Sequence, residues 1–202
     1  MELCAHAPLG RYLTWRWATR APAVALTLDD GPHERYTAPV LDLLASQGIR
    51  ATFFVLGKSV EARPELLQRM LREGHEIGNH GYDHRTEGLP AQILRTEALL
   101  AKYAVKTKLF RPPYGRLSAP LLRWTVAHGY QTVMWSHDSR DSMRHDGKLD
   151  NGQSFADVSA GDIVLMHDDN PLCVTELPDF LRVARELGLR VVPLGELLST
   201  RG

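Results

Sequence analysis

Residues 24–32 read VALTLDDGP, and this stretch decides how the rest of the chain is interpreted. The run VALTL is short and apolar and contains β-branched residues, which is typical of a buried strand. It stops at DDGP, where glycine and proline mark a turn. The sequence therefore predicts a strand that carries two adjacent carboxylates, Asp29 and Asp30, at its carboxyl end.

Strand and helix signals alternate along the rest of the chain. A helix is predicted from Thr37, where apolar residues recur with helical spacing until Gly48 stops the pattern. The further predicted strands are residues 51–57, 75–80, 108–110, 130–135, 162–167 and 189–194, and the further predicted helices are residues 63–74, 89–105, 119–129 and 175–188. Repeated strand–helix units predict a mostly parallel sheet covered by helices, either open or closed into a barrel.

The composition excludes several classes of protein. With 202 residues, 44% of them hydrophobic, the chain is long enough to form one domain with a buried core. Lys plus Arg and Asp plus Glu number 24 each, so no excess of positive charge points to nucleic acid or to an anionic membrane. No apolar run of about 18 residues occurs, so no membrane-spanning helix is expected.

The cysteines and the amino terminus bear on the cellular compartment. Cys4 and Cys173 are far apart and lack a C-x-x-C spacing, so they are either a disulfide or two inert thiols. Residues 1–20 lack a basic segment followed by an apolar core, so they do not resemble a secretory signal. We expect a cytoplasmic protein if Met1 is the natural start, and an exported one if a leader has been removed.

Ionisable residues follow five predicted strands at the point where each strand ends. They are Asp29 and Asp30, His80, Arg111, residues 136–141 and His167. The carboxyl ends of parallel strands meet at one face of a β/α fold, which is where such folds build active sites. One aspartate at a strand end is often a helix cap, but five strand ends with ionisable residues predict a site.

His80 and His84, in the stretch GNHGYDH, are candidate metal ligands. At four residues apart, their Cβ atoms lie about 6 Å from each other on one side of a helical turn, close enough to hold one cation. The same spacing also arises by chance, and the chain has nine histidines. The pair alone therefore leaves both a metal site and two surface histidines open.

Five motifs occur in order along the chain: TLDDGP, HGYDH, FRPPYG, SHDSRDS and LMHD. In this order and spacing they resemble the motifs of the polysaccharide deacetylase family of carbohydrate esterases (carbohydrate esterase family 4, the NodB-homology domain). The match runs from about Thr27 to the end of the chain. It implies a distorted (β/α) barrel of seven or eight mostly parallel strands. The catalytic domain would be residues 23–202, and residues 1–22 would form an amino-terminal arm or edge strand packed on the barrel.

The resemblance implies that Asp30, His80 and His84 bind a divalent metal. Two imidazoles and one carboxylate leave coordination positions for water and substrate. A cation there lowers the pKa of bound water and polarises an acetyl carbonyl. Zinc is the default metal, and cobalt, nickel and manganese accept the same ligands.

The resemblance also implies which groups move protons. Asp29 would be the general base, and His167 would be the general acid that protonates the leaving amine. Arg111 would pair with Asp29 and keep its carboxylate ionised, since a neighbouring cation favours the charged form. Asp141 would support Arg111 and raise the pKa of His167. Asp138 matches the first aspartate of its motif and has no assigned role.

Four residues are expected on the substrate side of the site. The backbone N–H of Tyr114, in a turn that Pro113 helps to fix, matches the oxyanion donor of the family. Leu165 is expected to line the small pocket for the acetyl methyl group. Trp135 is expected to contact the substrate, which would be a carbohydrate.

Two positions depart from the family pattern. Gly81 stands where a serine or threonine hydroxyl usually braces the loop, and Ser142 replaces a tryptophan that commonly forms part of the pocket wall. Neither change removes a metal ligand or a proton carrier. Activity is therefore expected to survive, while the preferred acyl group or sugar is left open.

The expected function is metal-dependent hydrolysis of N-acetyl, or O-acetyl, groups on a sugar polymer or oligomer. One alternative within the superfamily is removal of a formyl group or opening of a cyclic amide, which Gly81, Ser142 and the missing export signal favour. A second alternative is a carbohydrate-binding remnant without activity, which the complete set of ionisable residues argues against. A non-haem iron oxygenase would use similar ligands, but it would need an all-β scaffold.

Overall fold

The computed structural model describes residues 12–149, 152 and 154–200, which form nine strands and eight helices. The strands are β1 Leu13–Thr14, β2 Ala23–Asp29, β3 Thr52–Val55, β4 Glu76–Asn79, β5 Leu109–Phe110, β6 Gln131–Val133, β7 His137–Asp138, β8 Ile163–His167 and β9 Arg190–Val192. The helices are α1 Thr37–Ser46, α2 Gly57–Ala62, α3 Pro64–Arg72, α4 Leu89–Ala101, α5 Ala119–Ala127, α6 Asp141–His145, α7 Pro171–Glu186 and α8 Leu194–Ser199. Strand and helix thus alternate through most of the chain, as the sequence predicts.

The strands pair in parallel and form one curled sheet. The order across the sheet is β1-β6-β5-β4-β3-β2-β8-β7, and β9 also pairs with β2. On β2, residues 27–29 pair with β3 and residues 23–25 pair with β9, while β8 pairs with residues 25–29. The expected distorted (β/α) barrel of seven or eight mostly parallel strands is confirmed as a half-barrel with eight strands along its path and β9 beside β2.

The two faces of the sheet carry different side chains, because successive residues of a strand point in opposite directions. On β2, Val24, Leu26 and Leu28 pack outward against the helices in the larger apolar cluster. Ala23 and Ala25 point the other way, into the smaller cluster. The inner row is therefore apolar where β2 begins and becomes polar where the strand ends in Asp29.

Three predicted boundaries are corrected by the structure. The helix predicted for residues 89–105 ends at Ala101. The strand predicted for residues 51–57 ends earlier, and Gly57 instead begins α2. The helix predicted for residues 175–188 begins at Pro171. It starts there because the Asn170 side chain caps its amino terminus and proline suits the first helical position.

Four short elements were not predicted. α2 follows β3, β7 and α6 lie inside the polar segment 136–154, and α8 follows the last strand. Each has at most six residues. Elements of this length span less than two helical turns, so they leave no hydrophobic period in the sequence.

The described part of segment 1–22 joins the edge of the sheet. β1 pairs with β6. Trp17 donates its backbone N–H to the Gly161 carbonyl oxygen at 2.8 Å and its indole N–H to the Thr200 carbonyl oxygen at 2.7 Å. These contacts fasten the segment to the body of the fold, and residues 1–11 lie outside the described residues.

Two further expectations concern the cysteines and membranes. Cys173 is buried in α7 as a free thiol, and Cys4 lies outside the described residues. None of the helices in the described part of the chain has both the length and the apolar character that crossing a bilayer requires.

Candidate active site

Asp30, His80 and His84 converge at the carboxyl ends of β2 and β4. The Nε2 atoms of His80 and His84 each lie 3.4 Å from Asp30 Oδ1. One possible ligand atom from each of the three residues lies within 4.8 Å of the others. The two imidazole centroids are 5.1 Å apart. Both histidines of the GNHGYDH stretch therefore face one carboxylate.

Asp30 and His84 both adopt a left-handed backbone, with φ angles of 77° and 63°. Residues other than glycine occupy this region rarely and at an energetic cost, so neighbouring contacts must hold them there. Next to Asp30, the Gly31 N–H donates to Asp168 Oδ1 at 3.1 Å, and the Ser59 hydroxyl donates to the Asp30 carbonyl oxygen at 3.3 Å. The surrounding fold thus specifies where the carboxylate lies.

The three side chains have the properties of a cation site. His80 Nδ1 donates to the Arg111 carbonyl oxygen at 2.8 Å, which leaves the lone pair of Nε2 directed at Asp30. Within the described residues, the buried Asp30 Oδ1 atom accepts no hydrogen bond. A buried oxygen without a donor is costly, and a bound cation would remove that cost. Two imidazoles and one carboxylate therefore fit a divalent metal such as zinc.

Burial dominates the electrostatics of this cluster. It raises the pKa of Asp30 to about 8, because the charge of His167 opposes the shift only in part and the charge of Asp29 adds to it. Burial, together with the charge of His80, lowers the pKa of His84 to about 4, and burial also lowers the pKa of His80. Both histidines are neutral at pH 7, which is the form that binds a metal.

Asp29 is buried against the guanidinium group of Arg111. Arg111 Nη1 donates to Asp29 Oδ1 at 2.8 Å, and neither side chain is more than 3% exposed. Arg111 also donates to Thr27 Oγ1 at 2.8 Å and to two carbonyl oxygens at the end of β6, at 3.2 and 2.9 Å. The other carboxylate oxygen of Asp29 lies 3.7 Å from His80 Nε2. Asp29 therefore reaches both the arginine and the ligand cluster.

His167, at the end of β8, is paired with Asp141, at the start of α6. Its Nδ1–H donates to Asp141 Oδ1 at 2.7 Å, and its backbone N–H donates to Asp141 Oδ2 at 2.8 Å. Burial alone would lower the pKa of His167, but the hydrogen bond and charge of Asp141 outweigh it and raise this pKa to about 10. Burial likewise acts to raise the pKa of Asp141, and His167 holds it below the usual range. His167 is thus a cation at neutral pH.

The expected support of Arg111 by Asp141 is not what the structure shows, because the two side chains form no hydrogen bond or ion pair. The Asp141 carboxylate accepts from His167 and from polar groups beside it, whereas the side chain of Arg111 donates to Asp29, to a threonine hydroxyl and to backbone carbonyls. Burial lowers the pKa of Arg111, and the charges of Asp29 and Asp138 oppose that shift. Asp138 is therefore the motif aspartate whose charge acts on the arginine.

Asp141→Asn is expected to move the alkaline limb of the pH–rate profile to lower pH. A general acid works while it is protonated, so the rate falls as the pH rises through the pKa of His167. Removing the carboxylate partner lowers that pKa by about 1 to 3 units. The measurement is kcat/KM against pH, with Asp179→Asn, an exposed carboxylate on α7, as the control that leaves the limb in place. An unmoved limb in Asp141→Asn would show that His167 is not the titrating acid.

Four polar residues that the sequence analysis did not single out complete the site. They are Thr27, Asn79, Asp168 and Asn170, and all four are buried. Thr27 lies two residues before Asp29 on the same face of β2, so the period of the strand is a signal that could have found it. Asn170 precedes a proline, and the Asn-Pro pair is a helix-start signal.

Asp168 holds the DDGP turn in place. Its carboxylate accepts the Gly31 N–H at 3.1 Å and the Thr37 hydroxyl, and its own N–H donates to the Asp29 carbonyl oxygen at 3.2 Å. A Cβ atom at Gly31 would collide with this carboxylate, so the motif requires glycine there. Asp168 thereby ties the end of β8, which carries His167, to the end of β2.

Asn79 and Asn170 brace the loops that follow β4 and β8. Asn79 Oδ1 accepts the Gly81 N–H and its Nδ2 donates to the carbonyl oxygen of Ile93, both at 2.9 Å. Asn170 Nδ2 donates to Asp141 Oδ2 at 3.3 Å. The two amides thus support the histidine cluster on one side and the Asp141 carboxylate on the other.

Tyr114 lies beside the ligand cluster in a short 3₁₀ turn, Pro113–Gly115. Its φ angle is 57°, its ring centroid lies 4.2 Å from that of His84, and the residue is 65% exposed. Backbone N–H groups in a first helical turn have no partner within the helix. The Tyr114 N–H therefore suits the role of oxyanion donor, and the buried Pro113 fixes the turn before it.

Trp135 and Leu165 lie next to the residues of the site. A Cβ atom at Gly115 would come within 2.8 Å of the Trp135 ring, so the Tyr114 turn packs directly on the indole. Leu165 is buried in β8 on the same face as His167. Both residues expected to line the substrate pocket lie next to the predicted acid and oxyanion donor.

The structure gives a physical context for the two departures from the family pattern. Gly81 has a φ angle of 83°, which serine or threonine adopts only with strain. The Thr96 hydroxyl donates to the Gly81 carbonyl oxygen at 2.9 Å and so braces this loop from α4. Ser142 lies half-buried in the first turn of α6 and donates its N–H to Asp141 Oδ1 at 2.9 Å. A small hydroxyl thus replaces an aromatic wall beside the Asp141–His167 pair.

Comparison with known sequences agrees with the motifs. A family model described as polysaccharide deacetylase matches residues 17–133. The chain is 36% identical, over 198 residues, to a peptidoglycan-N-acetylglucosamine deacetylase of Bacillus cereus, with 93% of each chain covered. It is also 36% identical, over 164 residues, to a chitooligosaccharide deacetylase of Sinorhizobium fredii, with 77% of this chain and 76% of that one covered.

A solved structure agrees as well. The crystal structure of a peptidoglycan N-acetylglucosamine deacetylase matches this fold with a TM-score of 0.84 and 30% identity, over 95% of this chain and 94% of that one. The residues that the family model matches, 17–133, include the DDGP turn, both histidines of the ligand cluster and Arg111. The chain therefore belongs to the polysaccharide deacetylase family of hydrolases.

Proposed function

We propose that this protein is a deacetylase of the peptidoglycan or chitooligosaccharide type, which hydrolyses the N-acetyl group of a sugar unit within a glycan. One observation carries the proposal: the ligand cluster, the buried carboxylate of Asp29 and the cationic His167 meet at one edge of the sheet. The names of the two sequence relatives, which are deacetylases of N-acetylated glycans, support the choice of substrate class.

Asp30, His80 and His84 would hold one divalent cation, with zinc as the default and cobalt, nickel or manganese as alternatives. When bound, the cation would polarise the acetyl carbonyl and lower the pKa of a water molecule. Other groups of the chain orient the proposed ligands. The Arg111 carbonyl orients His80, and the DDGP turn orients Asp30.

Asp29 is the proposed general base. One of its oxygens is held by Arg111, and the other faces His80 at the edge of the cluster, where a water molecule would be deprotonated. The buried guanidinium stabilises the carboxylate charge that a base needs. As Asp29 takes the proton, the water oxygen forms a bond to the acetyl carbon, and the carbonyl oxygen becomes negatively charged. The Tyr114 N–H would donate to that oxygen.

His167 is the proposed general acid. It gives a proton to the amide nitrogen as the C–N bond breaks, which releases acetate and a free amine. Asp141 raises the pKa of His167 to about 10, so the imidazole is protonated when the substrate arrives. The acid therefore carries its proton before the reaction, as transfer to the leaving nitrogen requires.

The experiment that tests the proposal is acetate release by the purified protein. The protein is stripped of metal, resupplied with zinc, cobalt or nickel, and given N-acetylglucosamine oligomers, peptidoglycan fragments or acetyl-xylan. We expect metal-dependent acetate from the oligomers or from the peptidoglycan fragments. No acetate from a metal-loaded protein would contradict the proposal. In that case formylated and cyclic-amide substrates would be tested next. A protein that binds glycans but hydrolyses none of these substrates would be a carbohydrate-binding protein.

A further inference from the structure

A groove of about 820 Å³ lies between the start of α4 and the start of α5. Its apolar lining consists of Leu89, Pro90, Leu117, Pro120, Leu121 and Trp124. Arg116 is the cationic residue among those that line it. An apolar surface with one charge is suited to a ligand that has both apolar faces and a group of opposite charge.

The groove adjoins the candidate active site, because residues that line it neighbour residues of the site. Thr86, which lines it, lies two residues after His84. Gly115, which also lines it, directly follows Tyr114, whose ring packs on His84. A Cβ atom at Gly81 would touch the Leu89 side chain at 3.6 Å, and Gly81 directly follows His80. The groove therefore lies next to the ligand cluster, where the neighbouring unit of a bound polymer would be.

Arg116 is exposed, and within the described residues no carboxylate lies within ion-pair distance of it. Its guanidinium carbon lies 5.6 Å from the ring centroid of Tyr114, which places the charge between the site and the groove. Two acids that are close in sequence to the groove residue Thr86 already have partners. Asp83 pairs with Arg85, and Glu87 accepts the hydroxyl of Thr86 at 3.1 Å. The charge of Arg116 is thus left for a ligand.

We propose that this groove binds the glycan unit next to the reactive N-acetyl sugar, and that Arg116 recognises a carboxylate on its substituent. This inference rests on the proposed function. Peptidoglycan carries peptides with free carboxylates on alternate sugars, whereas oligomers of N-acetylglucosamine are neutral. The groove therefore selects peptide-bearing glycans over neutral ones, with the apolar lining contacting the C–H faces of the sugar and the peptide.

The test compares kcat/KM on peptidoglycan fragments that carry their peptides with kcat/KM on N-acetylglucosamine oligomers. In Arg116→Gln we expect the ratio of the two values to fall about fivefold, the upper range for one partly exposed ion pair. Arg116→Lys keeps the charge and should retain most of the ratio. Arg123→Gln, an exposed arginine on α5 that does not line the groove, should leave the ratio unchanged. High salt should reduce the preference of the wild type, since it screens exposed charges.

Two results separate this inference from the proposed function. An unchanged ratio in Arg116→Gln, with acetate released from both substrates, would overturn the groove assignment and leave the deacetylase in place. If the wild type releases no acetate from either substrate, the proposed function fails. The assignment of the groove is then tested separately, by measuring the affinity for the peptide-bearing fragment by calorimetry. Weaker binding in Arg116→Gln than in Arg123→Gln would then support it, and equal binding would refute it.

Discussion

Asp30→Ala is expected to lose the divalent cation and the acetate-releasing activity together. Asp30 supplies the carboxylate of the three-ligand cluster, and without it two neutral imidazoles remain. The loss of metal affinity should exceed the roughly 10- to 100-fold effect that is typical of residues outside the ligand set. The measurement is metal content after dialysis, by mass spectrometry of the elements, alongside acetate release.

The variant is expected to fold, so the loss can be assigned to the site. Alanine in the left-handed backbone of position 30 costs about 1–2 kcal/mol, against a total stability of about 5–15 kcal/mol for a typical domain. Asp42→Ala removes an exposed carboxylate on α1 and serves as the matched control. His84→Ala should repeat the loss, with the exposed His128→Ala as its control. Retention of metal at full stoichiometry by Asp30→Ala would show that Asp30 is not a ligand.

Asp29→Asn is expected to keep the metal and lose turnover. Asparagine has the shape of aspartate but cannot take a proton from water. General-base catalysis is typically worth about 10²- to 10⁴-fold, and kcat should fall by that amount. The ligand cluster is unchanged in this variant, so metal content should equal that of the wild type. The pair of measurements, metal content and kcat, distinguishes a base from a ligand.

The same variant is expected to lose stability, because Arg111 is left buried without its counter-charge. Breaking a buried ion pair from one side costs about 3–5 kcal/mol. Thr27→Val is the control for this effect, since it removes another hydrogen-bond partner of Arg111 without removing a proton acceptor. It should lower the melting temperature while most of the turnover is retained. A full rate in Asp29→Asn would show that another group acts as the base.

The placement of Asp29, His80 and His167 could be predicted from the sequence, because each follows a short apolar strand that a turn or loop ends. Parallel strands bring such positions to one edge whatever the detailed packing. His84 required the additional information that its loop turns back toward Asp30. That turn depends on a left-handed residue at position 84, which the pattern of apolar residues does not report.

The partner of Asp141 could not be predicted from residue types. Asp141 begins a helix of five residues inside a polar segment, and the position of that helix is set by β8 and α7 rather than by its own sequence. Whether its carboxylate meets Arg111 or His167 follows from this tertiary placement. The structure places it on His167 and leaves the charge of Asp138 to act on Arg111.

Asp168 and Asn79 illustrate a second limit of sequence analysis. Asp168 holds Gly31, and Asn79 holds the carbonyl of Ile93, through hydrogen bonds between segments that are distant in the chain. Such contacts satisfy buried polar groups, but they have no fixed spacing in the sequence. The sequence shows that positions 79 and 168 are polar, but it does not show which groups their side chains bind.

We propose that Asp30, His80 and His84 hold one catalytic divalent cation. The most direct test is to titrate the metal-stripped protein with zinc and to follow acetate release from the glycan substrate that the wild type cleaves best. We expect a rate that rises in proportion to added zinc up to one equivalent per chain, and no such rise in Asp30→Ala. Full activity in the metal-free wild type, or an equal response to zinc in Asp30→Ala, would contradict it.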